Sequence, residues 1–244
     1  MKSYDKIVIK NTFFLYIMTG AKFVLPLIIT ACLTRRLGPE SYGVISYLTP
    51  VMGYFILLFD FGFDFSATKK ISQNRSNKEY IEKTIASVYT AKILLVPIGF
   101  IFLLILFFCV ELLREYFLLT VLYYISTAAQ IFIPDFLYRG LEKMEGITKR
   151  YILAKFITAV MIFVTVQDDR ELIIIPVAYL IGTVIAAVYT NHHMVKKMGY
   201  RFSLAPIKDA LSELKVSSIY FMSTFASTAL SLPCRSVSTT KGFS

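Results

Sequence analysis

Seven ionisable side chains interrupt segments of the sequence that are otherwise strongly apolar. They are Lys22, Asp60, Asp64, Lys92, Asp135, Arg139 and Lys155. A charged group inside a long apolar helix is costly unless it faces water or a group of opposite charge. The sequence therefore predicts a water-filled cavity whose lysines attract an anionic ligand. The residues predicted to line this cavity are Lys22, Lys92, Lys155 and Asp60.

Structural roles are the alternative interpretation of several of these residues. Asp135 and Arg139 are one helical turn apart, so the sequence predicts an ion pair between them. Residues near the ends of apolar segments can reach the membrane surface, and we expect structural roles for Asp64, Arg139 and Arg36. Lys22 differs, because it lies about eleven residues from either end of its segment. A cavity-lining role and a structural role both remain open for it.

The residue patterns of enzymes, metal proteins and nucleotide-binding folds are not found in the sequence. An Asp-Phe-Gly triplet at 60–62 lies in an apolar segment without a glycine-rich loop, so it does not indicate a kinase. His192 and His193 are adjacent and point in different directions on a helix. The cysteines Cys32, Cys109 and Cys234 are too widely spaced for a metal site. We expect no enzymatic activity, no metal and no cofactor.

The elements that position the charged residues are predicted to be membrane-spanning helices. Hydrophobic residues make up 56% of the 244 residues, and the mean hydropathy is +0.63. Apolar runs of about 18 residues or more are typical of helices that cross a bilayer. The sequence predicts an all-α integral membrane protein in which six helices form one bundle. The predicted spans are about 11–34, 43–65, 84–110, 114–138, 149–167 and 171–191, and an incomplete seventh span runs from near Val216 toward Pro233.

Basic residues between these spans predict the orientation of the chain. With a cytoplasmic N-terminus, 17 of the 21 basic residues between spans fall on the cytoplasmic side, as the positive-inside rule requires. The net charge of +10 is therefore interpreted as a topology signal rather than as an adaptation to nucleic acid. We expect a multi-pass protein of the cytoplasmic (inner) membrane that contacts membrane lipids and no nucleic acid.

The segment FSLAPIKDALSELKVSS differs from the apolar runs. Its apolar residues share one helical face, and charged and hydroxyl residues take the other faces. This pattern predicts an amphipathic helix on the cytoplasmic membrane surface. The predicted organisation is a six-helix bundle over 1–195, a cytoplasmic amphipathic linker over 196–215, and a partial seventh span with an irregular polar tail over 216–244.

Four pieces of the sequence occur in a recognisable order. They are LTRRLGPESYGVISY at 33–47, FDFGFDFSATKKIS at 59–72, IPDFLYRGLEKM at 133–144, and the amphipathic linker before the seventh span. In order and spacing they resemble the polysaccharide-exporter branch of the multidrug/oligosaccharidyl-lipid/polysaccharide (MOP) flippase superfamily, which includes Wzx-type O-antigen flippases. The resemblance covers roughly residues 5–230.

This resemblance implies a transporter in which two helical bundles enclose a central cavity and alternate its access across the membrane. The implied substrate is a lipid-linked oligosaccharide of the polyprenyl-pyrophosphate type, whose pyrophosphate or acidic sugars would bind to Lys22, Lys92 and Lys155. The chain would supply only the first bundle. We therefore expect a truncated form, with a frameshift near Ser231; a natural short tail is the alternative.

Three functions remain open at this point. The motifs favour a flippase-type carrier that moves lipid-linked oligosaccharide or polysaccharide units across the cytoplasmic membrane for surface polysaccharide biosynthesis. The alternatives are a drug–cation antiporter of the same superfamily and a non-transporting membrane fragment of a disrupted gene. Because a single bundle would expose its polar wall to lipid, self-association of the chain is also expected.

Overall fold

A computed structural model describes the backbone of residues 2–168 and 171–240 and the side chains of residues 8–168 and 171–227. Within these ranges the chain forms helices and no strand. The helices are α1 (Lys2–Arg36), α2 (Pro39–Asp60), α3 (Phe63–Gln73), α4 (Lys78–Cys109), α5 (Glu111–Glu115), α6 (Phe117–Ala128), α7 (Asp135–Gly140), α8 (Met144–Thr165), α9 (Ile174–Lys196) and α10 (Ile207–Thr240), with a 3₁₀ turn at Ala129–Phe132.

Five helical stretches in the described part of the chain are long and apolar enough to cross a membrane. They are Val8–Arg36, Pro39–Gln73, Lys78–Cys109, Phe117–Gly140 and Ile174–Lys196. The prediction of an all-α membrane protein is confirmed. The fifth predicted span, 149–167, forms α8, which carries Lys149, Arg150 and Lys155 and is not one of the five stretches. The count of six spans therefore stays a prediction.

Two of the predicted spans are interrupted in the structure. Phe61 and Gly62 end α2 with φ angles of 43° and 77°, a left-handed pair that cannot continue a right-handed helix. The fourth span is interrupted by the 3₁₀ turn and by Pro134, whose missing N–H removes a helical hydrogen bond. Each predicted span is therefore two helices that meet at an angle, α2 with α3 and α6 with α7.

Helix α1 packs against α8, and polar contacts fasten one end of this pair. The Thr148 hydroxyl donates to the carbonyl oxygen of Phe14 at 3.0 Å. Lys10 and Glu145 form an ion pair at 2.5 Å. Hydrogen bonds from Lys10 and Lys149 lower the pKa of Glu145 to about 2, so this carboxylate stays charged and paired near neutral pH.

Arg36 fastens the other end of the α1–α8 pair. Its guanidinium donates to the carbonyl oxygens of Phe163 at 2.5 Å and Val166 at 2.7 Å. These carbonyls lie at the C-terminus of α8, where backbone acceptors lack helical partners. Gly38 then takes an extended conformation and Pro39 starts α2, because proline suits the first helical turn. The Gly-Pro pair thus separates α1 from α2.

The predicted surface helix and seventh span form one continuous helix, α10. Among the described side chains of α10, Ala210, Glu213 and Ser217 are buried, whereas Ile207 is 61% exposed and Leu211 56% exposed. Each predicted face thus has both buried and exposed residues, because Ala210 of the apolar face is buried and Lys208 of the polar face is exposed. The amphipathic surface helix stays a prediction. The polar residues predicted to form an irregular tail, from Leu232 onward, lie outside the described side chains.

Candidate functional site

A cavity of about 470 Å³ lies within the bundle, next to the two helix interruptions. Six of the seven ionisable residues singled out from the sequence line it, together with Arg150. The charged residues that line it are Lys22, Asp60, Asp64, Lys92, Asp135, Arg139 and Arg150. Thr127 and Gln130 add polar groups, and Tyr151 adds an aromatic ring. The cavity therefore combines charged and polar groups with apolar side chains of the surrounding helices.

The helix interruptions place the three carboxylates in this cavity. Asp60 is the last residue of α2, and Asp64 lies in the first turn of α3, on the other side of the bend at Phe61 and Gly62. Asp135 is the first residue of α7. The bends thus bring acidic groups into a region that two unbroken helices would leave apolar.

Each of these carboxylates is paired with a cation from a different helix. The pairs are Lys92 Nζ with Asp60 Oδ1 at 3.5 Å, Arg139 Nη2 with Asp64 Oδ2 at 3.0 Å, and Arg150 Nη2 with both carboxylate oxygens of Asp135 at 2.7 and 2.8 Å. Together the pairs join α4 to α2, α7 to α3, and α8 to α7. We call these six residues the paired wall of the cavity.

The predicted ion pair between Asp135 and Arg139 is not formed. Asp135 begins α7 and faces α8, where Arg150 donates two hydrogen bonds to its carboxylate. Arg139 faces α3 and binds Asp64 instead. The helical spacing is as predicted, but short helices packed between two neighbours offer each charge a better partner outside α7. Arg150 was missed as a site residue because its only signal, a basic residue at the start of a span, is also a topology signal.

Lys92 is the least exposed of the three lysines predicted to line the cavity, with 5% of its surface accessible. Its nitrogen lies 5.9 Å from the ring centroid of Phe63 and 5.7 Å from that of Phe136. The negative faces of aromatic rings attract a cation. The two rings therefore add to the attraction that the Asp60 carboxylate exerts on the Lys92 ammonium. Lys92 thus sits in a pocket that compensates its charge.

Lys22 also lines the cavity and is exposed. Its ammonium lies 5.9 Å from the ring of Tyr151, and among the described residues no carboxylate forms an ion pair with it. We call Lys22 and Tyr151 the open wall. The described charged lining thus consists of three compensated pairs and one additional positive charge, so an anion entering the cavity would meet Lys22 without displacing a carboxylate.

Lys155 does not join this cavity, contrary to the prediction. Its ammonium lies 4.7 Å from the ring centroid of Tyr179 on α9. Lys155 lies five positions after Arg150, and this spacing rotates its side chain by about 140° around α8 relative to that of Arg150. Arg150 therefore faces the cavity while Lys155 faces α9. In the described part of the chain no cluster of three or more His, Cys, Asp or Glu side chains is arranged to hold a metal ion.

The chain is similar to known proteins over most of its length. A family model described as "Polysaccharide biosynthesis protein" matches residues 8–232. A protein of Escherichia coli (strain K12) named as an O-antigen transporter is 28% identical over 162 residues, which cover 66% of this chain and 39% of that protein. A Shigella dysenteriae protein of the same name is 25% identical over 226 residues, 88% of this chain and 54% of that protein. The chain thus spans about half the length of these curated relatives. No solved structure matches it.

Proposed function

The chain belongs to the family of polysaccharide biosynthesis proteins, and from this we propose that it forms one helical bundle of a flippase for lipid-linked oligosaccharides. This membership confirms the resemblance drawn from the sequence motifs. The observation that carries the proposal is the cavity with three compensated ion pairs and one uncompensated ammonium, Lys22. We propose that this cavity holds the anionic pyrophosphate end of the substrate.

The charges of the cavity favour an anionic substrate over a cationic one. Lys22 adds a positive charge that no described carboxylate compensates. A drug–cation antiporter would need the opposite balance, because a cation gains nothing from a site whose surplus charge is positive. The cavity therefore supports the carrier of lipid-linked oligosaccharide over the antiporter.

The paired wall offers a way to bind a phosphate group more tightly after first contact with Lys22. A guanidinium presents parallel N–H donors that fit a phosphate as well as a carboxylate. Arg150 already donates to both oxygens of Asp135, and Arg139 reaches Asp64 from the next helix. We propose that the pyrophosphate enters at Lys22 and then shares these donors with the aspartates.

The size and setting of the cavity agree with this role. Its volume of about 470 Å³ lies within the usual range of small-molecule sites, about 300–1,000 Å³. The apolar residues on the outer faces of α1 and α8, such as Phe23, Leu27 and Phe156, are exposed and suit contact with acyl or polyprenyl chains. The charged head group and its lipid chain would then occupy two distinct surfaces of the same bundle.

Location and orientation complete the proposal. We propose that the protein lies in the cytoplasmic membrane with its N-terminus in the cytoplasm. Basic residues concentrate in the segments between spans that this orientation places in the cytoplasm. Cysteine labelling in intact cells tests this orientation in a variant without Cys32, Cys109 and Cys234. A cysteine replacing Ser41 is expected to react with a membrane-impermeant reagent, and one replacing Asn77 is expected to stay unlabelled. The reverse pattern would overturn the orientation.

Alternating access needs two helical bundles that move about a shared cavity. We propose that this chain supplies one of the two bundles. We expect the 244-residue chain alone not to restore surface polysaccharide in a strain that lacks its own flippase. Membrane levels of the chain are checked by immunoblot. Restored polysaccharide would mean that two copies of this bundle build a working transporter.

The substrate class is tested by photo-crosslinking in cells. Gln130, which lines the cavity, is replaced by a photo-reactive phenylalanine analogue in a strain that makes O-antigen but lacks its flippase. The matched control carries the same analogue at Tyr189, which is 41% exposed on α9 and does not line the cavity. Irradiation is expected to attach saccharide to the chain at position 130 alone. Absence of saccharide there, or equal attachment at 189, would contradict the proposal.

A further inference from the structure

The bend between α2 and α3 is packed against α10 at very short range. Gly62 has a φ of 77°, and a Cβ added to it would lie 2.8 Å from the backbone nitrogen of Phe221 and 2.9 Å from the carbonyl oxygen of Ser217. Both of these atoms belong to the backbone of α10, so neither can rotate aside. Only glycine therefore allows the chain to bend where it touches α10.

Side chains on both sides of Gly62 continue this contact. The ring of Phe61 stacks on that of Phe221 with centroids 4.6 Å apart and an interplanar angle of 11°. The buried hydroxyls of Ser66 and Ser217 share a hydrogen bond of 2.6 Å. One turn further along, Lys70 pairs with the buried Glu213 at 2.6 Å. The bend is thus fastened to α10 by ring stacking, a hydrogen bond and an ion pair.

The same bend carries two of the three carboxylates of the cavity. Asp60 precedes it and Asp64 follows it, and they hold Lys92 and Arg139 respectively. Because Asp60 and Asp64 lie on opposite sides of the bend, a change in the angle between α2 and α3 would move the two carboxylates relative to each other and to their cations.

We infer that Gly62 and its contact with α10 position Asp60 and Asp64, and so set how much positive charge the cavity presents. When α10 lies against the bend, Lys92 and Arg139 are compensated. When α10 moves away, the carboxylates withdraw and both cations become available to an anion. Gly62, Ser66 and Ser217 are positioning residues in this scheme. It rests on the proposed function only in assigning the cavity to an anionic substrate.

The inference is tested by the charge preference of a cysteine in the cavity. Gln130→Cys is introduced into the 244-residue chain without its native cysteines, and the membranes are treated with two thiosulfonate reagents of similar size, one anionic and one cationic. The ratio of their reaction rates reports the local potential, whereas general loosening of the fold accelerates both reagents alike. No export is needed, so failure of this test is distinguishable from failure of the proposed function.

Gly62→Ala is expected to raise the ratio of anionic to cationic reaction roughly threefold or more, the effect of a unit charge uncovered nearby in partly hydrated surroundings. Ser217→Leu, which acts on the same contact from α10, is expected to change the ratio in the same direction. Asp64→Asn is the positive control, because it uncovers Arg139 directly. Gly43→Ala is the matched control, because a Cβ there meets nothing within 4 Å.

Three results would overturn the inference. One is an unchanged ratio in Gly62→Ala and Ser217→Leu while Asp64→Asn changes it. Another is parallel acceleration of both reagents in the two bend variants, which would indicate loosening without loss of charge pairing. An unchanged ratio in Asp64→Asn would show that this carboxylate does not shape the potential of the cavity. A raised ratio in both bend variants, with Gly43→Ala unchanged, would support the inference.

Discussion

The two walls of the cavity carry cations of the same kind in opposite settings. On the paired wall, Lys92 and Arg150 are 5% and 7% exposed and each is bound to an aspartate. On the open wall, Lys22 is exposed and lies near the Tyr151 ring without an ion-pair partner among the described residues. Removing one partner of a buried ion pair leaves the other charge uncompensated and destabilises the fold, whereas an exposed, uncompensated charge is free to bind a ligand. Stability should therefore depend more on the paired wall, and the first contact with a ligand on the open wall.

The largest effect on stability is expected from Arg150→Leu. This change leaves the Asp135 carboxylate without its two hydrogen bonds in a largely enclosed site, and should lower the free energy of unfolding by about 3–5 kcal/mol. Unfolding by SDS in mixed micelles measures it. Arg35→Leu, at an exposed arginine of α1, is the control and should change stability little. A loss below about 1 kcal/mol in Arg150→Leu would contradict the role of the paired wall.

A smaller effect is expected from the residue that supports the second helix interruption. Asn191 on α9 donates to the carbonyl oxygen of Phe132 at 2.7 Å and accepts from the Tyr89 hydroxyl at 2.9 Å. Asn191→Ala should cost about 1–2 kcal/mol, because it removes these bonds next to the break that presents Asp135. The same unfolding titration measures this loss. The control is His192→Ala, which changes the neighbouring exposed residue. Equal losses in the two variants would show that Asn191 does not support the break.

The hydrogen bond between α1 and α8 should contribute less to stability than the paired wall. Thr148→Val removes this bond, from α8 to the Phe14 carbonyl of α1, with little change in shape, and should cost about 1 kcal/mol. Thr165→Val is the control, because that hydroxyl bonds only within its own helix, to Met161. A loss as large as that of Arg150→Leu would mean that this contact holds the fold as strongly as the paired wall.

The smallest effect on stability is expected at Lys22 itself. Lys22→Leu removes an exposed ammonium that forms no ion pair in the described structure, so the free energy of unfolding should stay within about 0.5 kcal/mol of the parent. The comparison of the two walls would fail if this variant were destabilised as strongly as Arg150→Leu. Retained stability also makes the variant suitable for measuring ligand affinity.

The sequence predicted the helices and most of the cavity charges because both follow from local patterns. Long apolar runs require helices in lipid, and Lys22, Asp60 and Lys92 stood out as charges within them. The partners of these charges could not be predicted in the same way. They depend on the bend at Phe61 and Gly62 and on the break at Pro134, which set angles between helices rather than positions along them.

The surroundings of Lys155 and of the α10 segment could not be predicted from the sequence, for a common physical reason. Lys155 faces α9 rather than the cavity because the rotation of α8 about its axis is decided by packing. The α10 segment has an amphipathic pattern, but that pattern does not say whether the apolar face meets protein or lipid. Ser217 and Glu213 are buried against α3, whereas the apolar Ile207 and Leu211 are exposed. Sequence periodicity gives the faces of a helix, and tertiary contacts decide what each face meets.

In the proposed function, Lys22 on the open wall provides the first contact for an anionic lipid-linked substrate. The most direct test is the dissociation constant of a polyprenyl pyrophosphate for the 244-residue chain in lipid nanodiscs, with the corresponding polyprenol as the uncharged control. Lys22→Leu should weaken binding of the pyrophosphate roughly tenfold or more, equivalent to about 1.4 kcal/mol. Lys155→Leu, which removes a lysine outside the cavity, should bind like the parent. An unchanged affinity of Lys22→Leu for the pyrophosphate would contradict the account. Binding of the polyprenol to the parent chain as tightly as the pyrophosphate would contradict it as well.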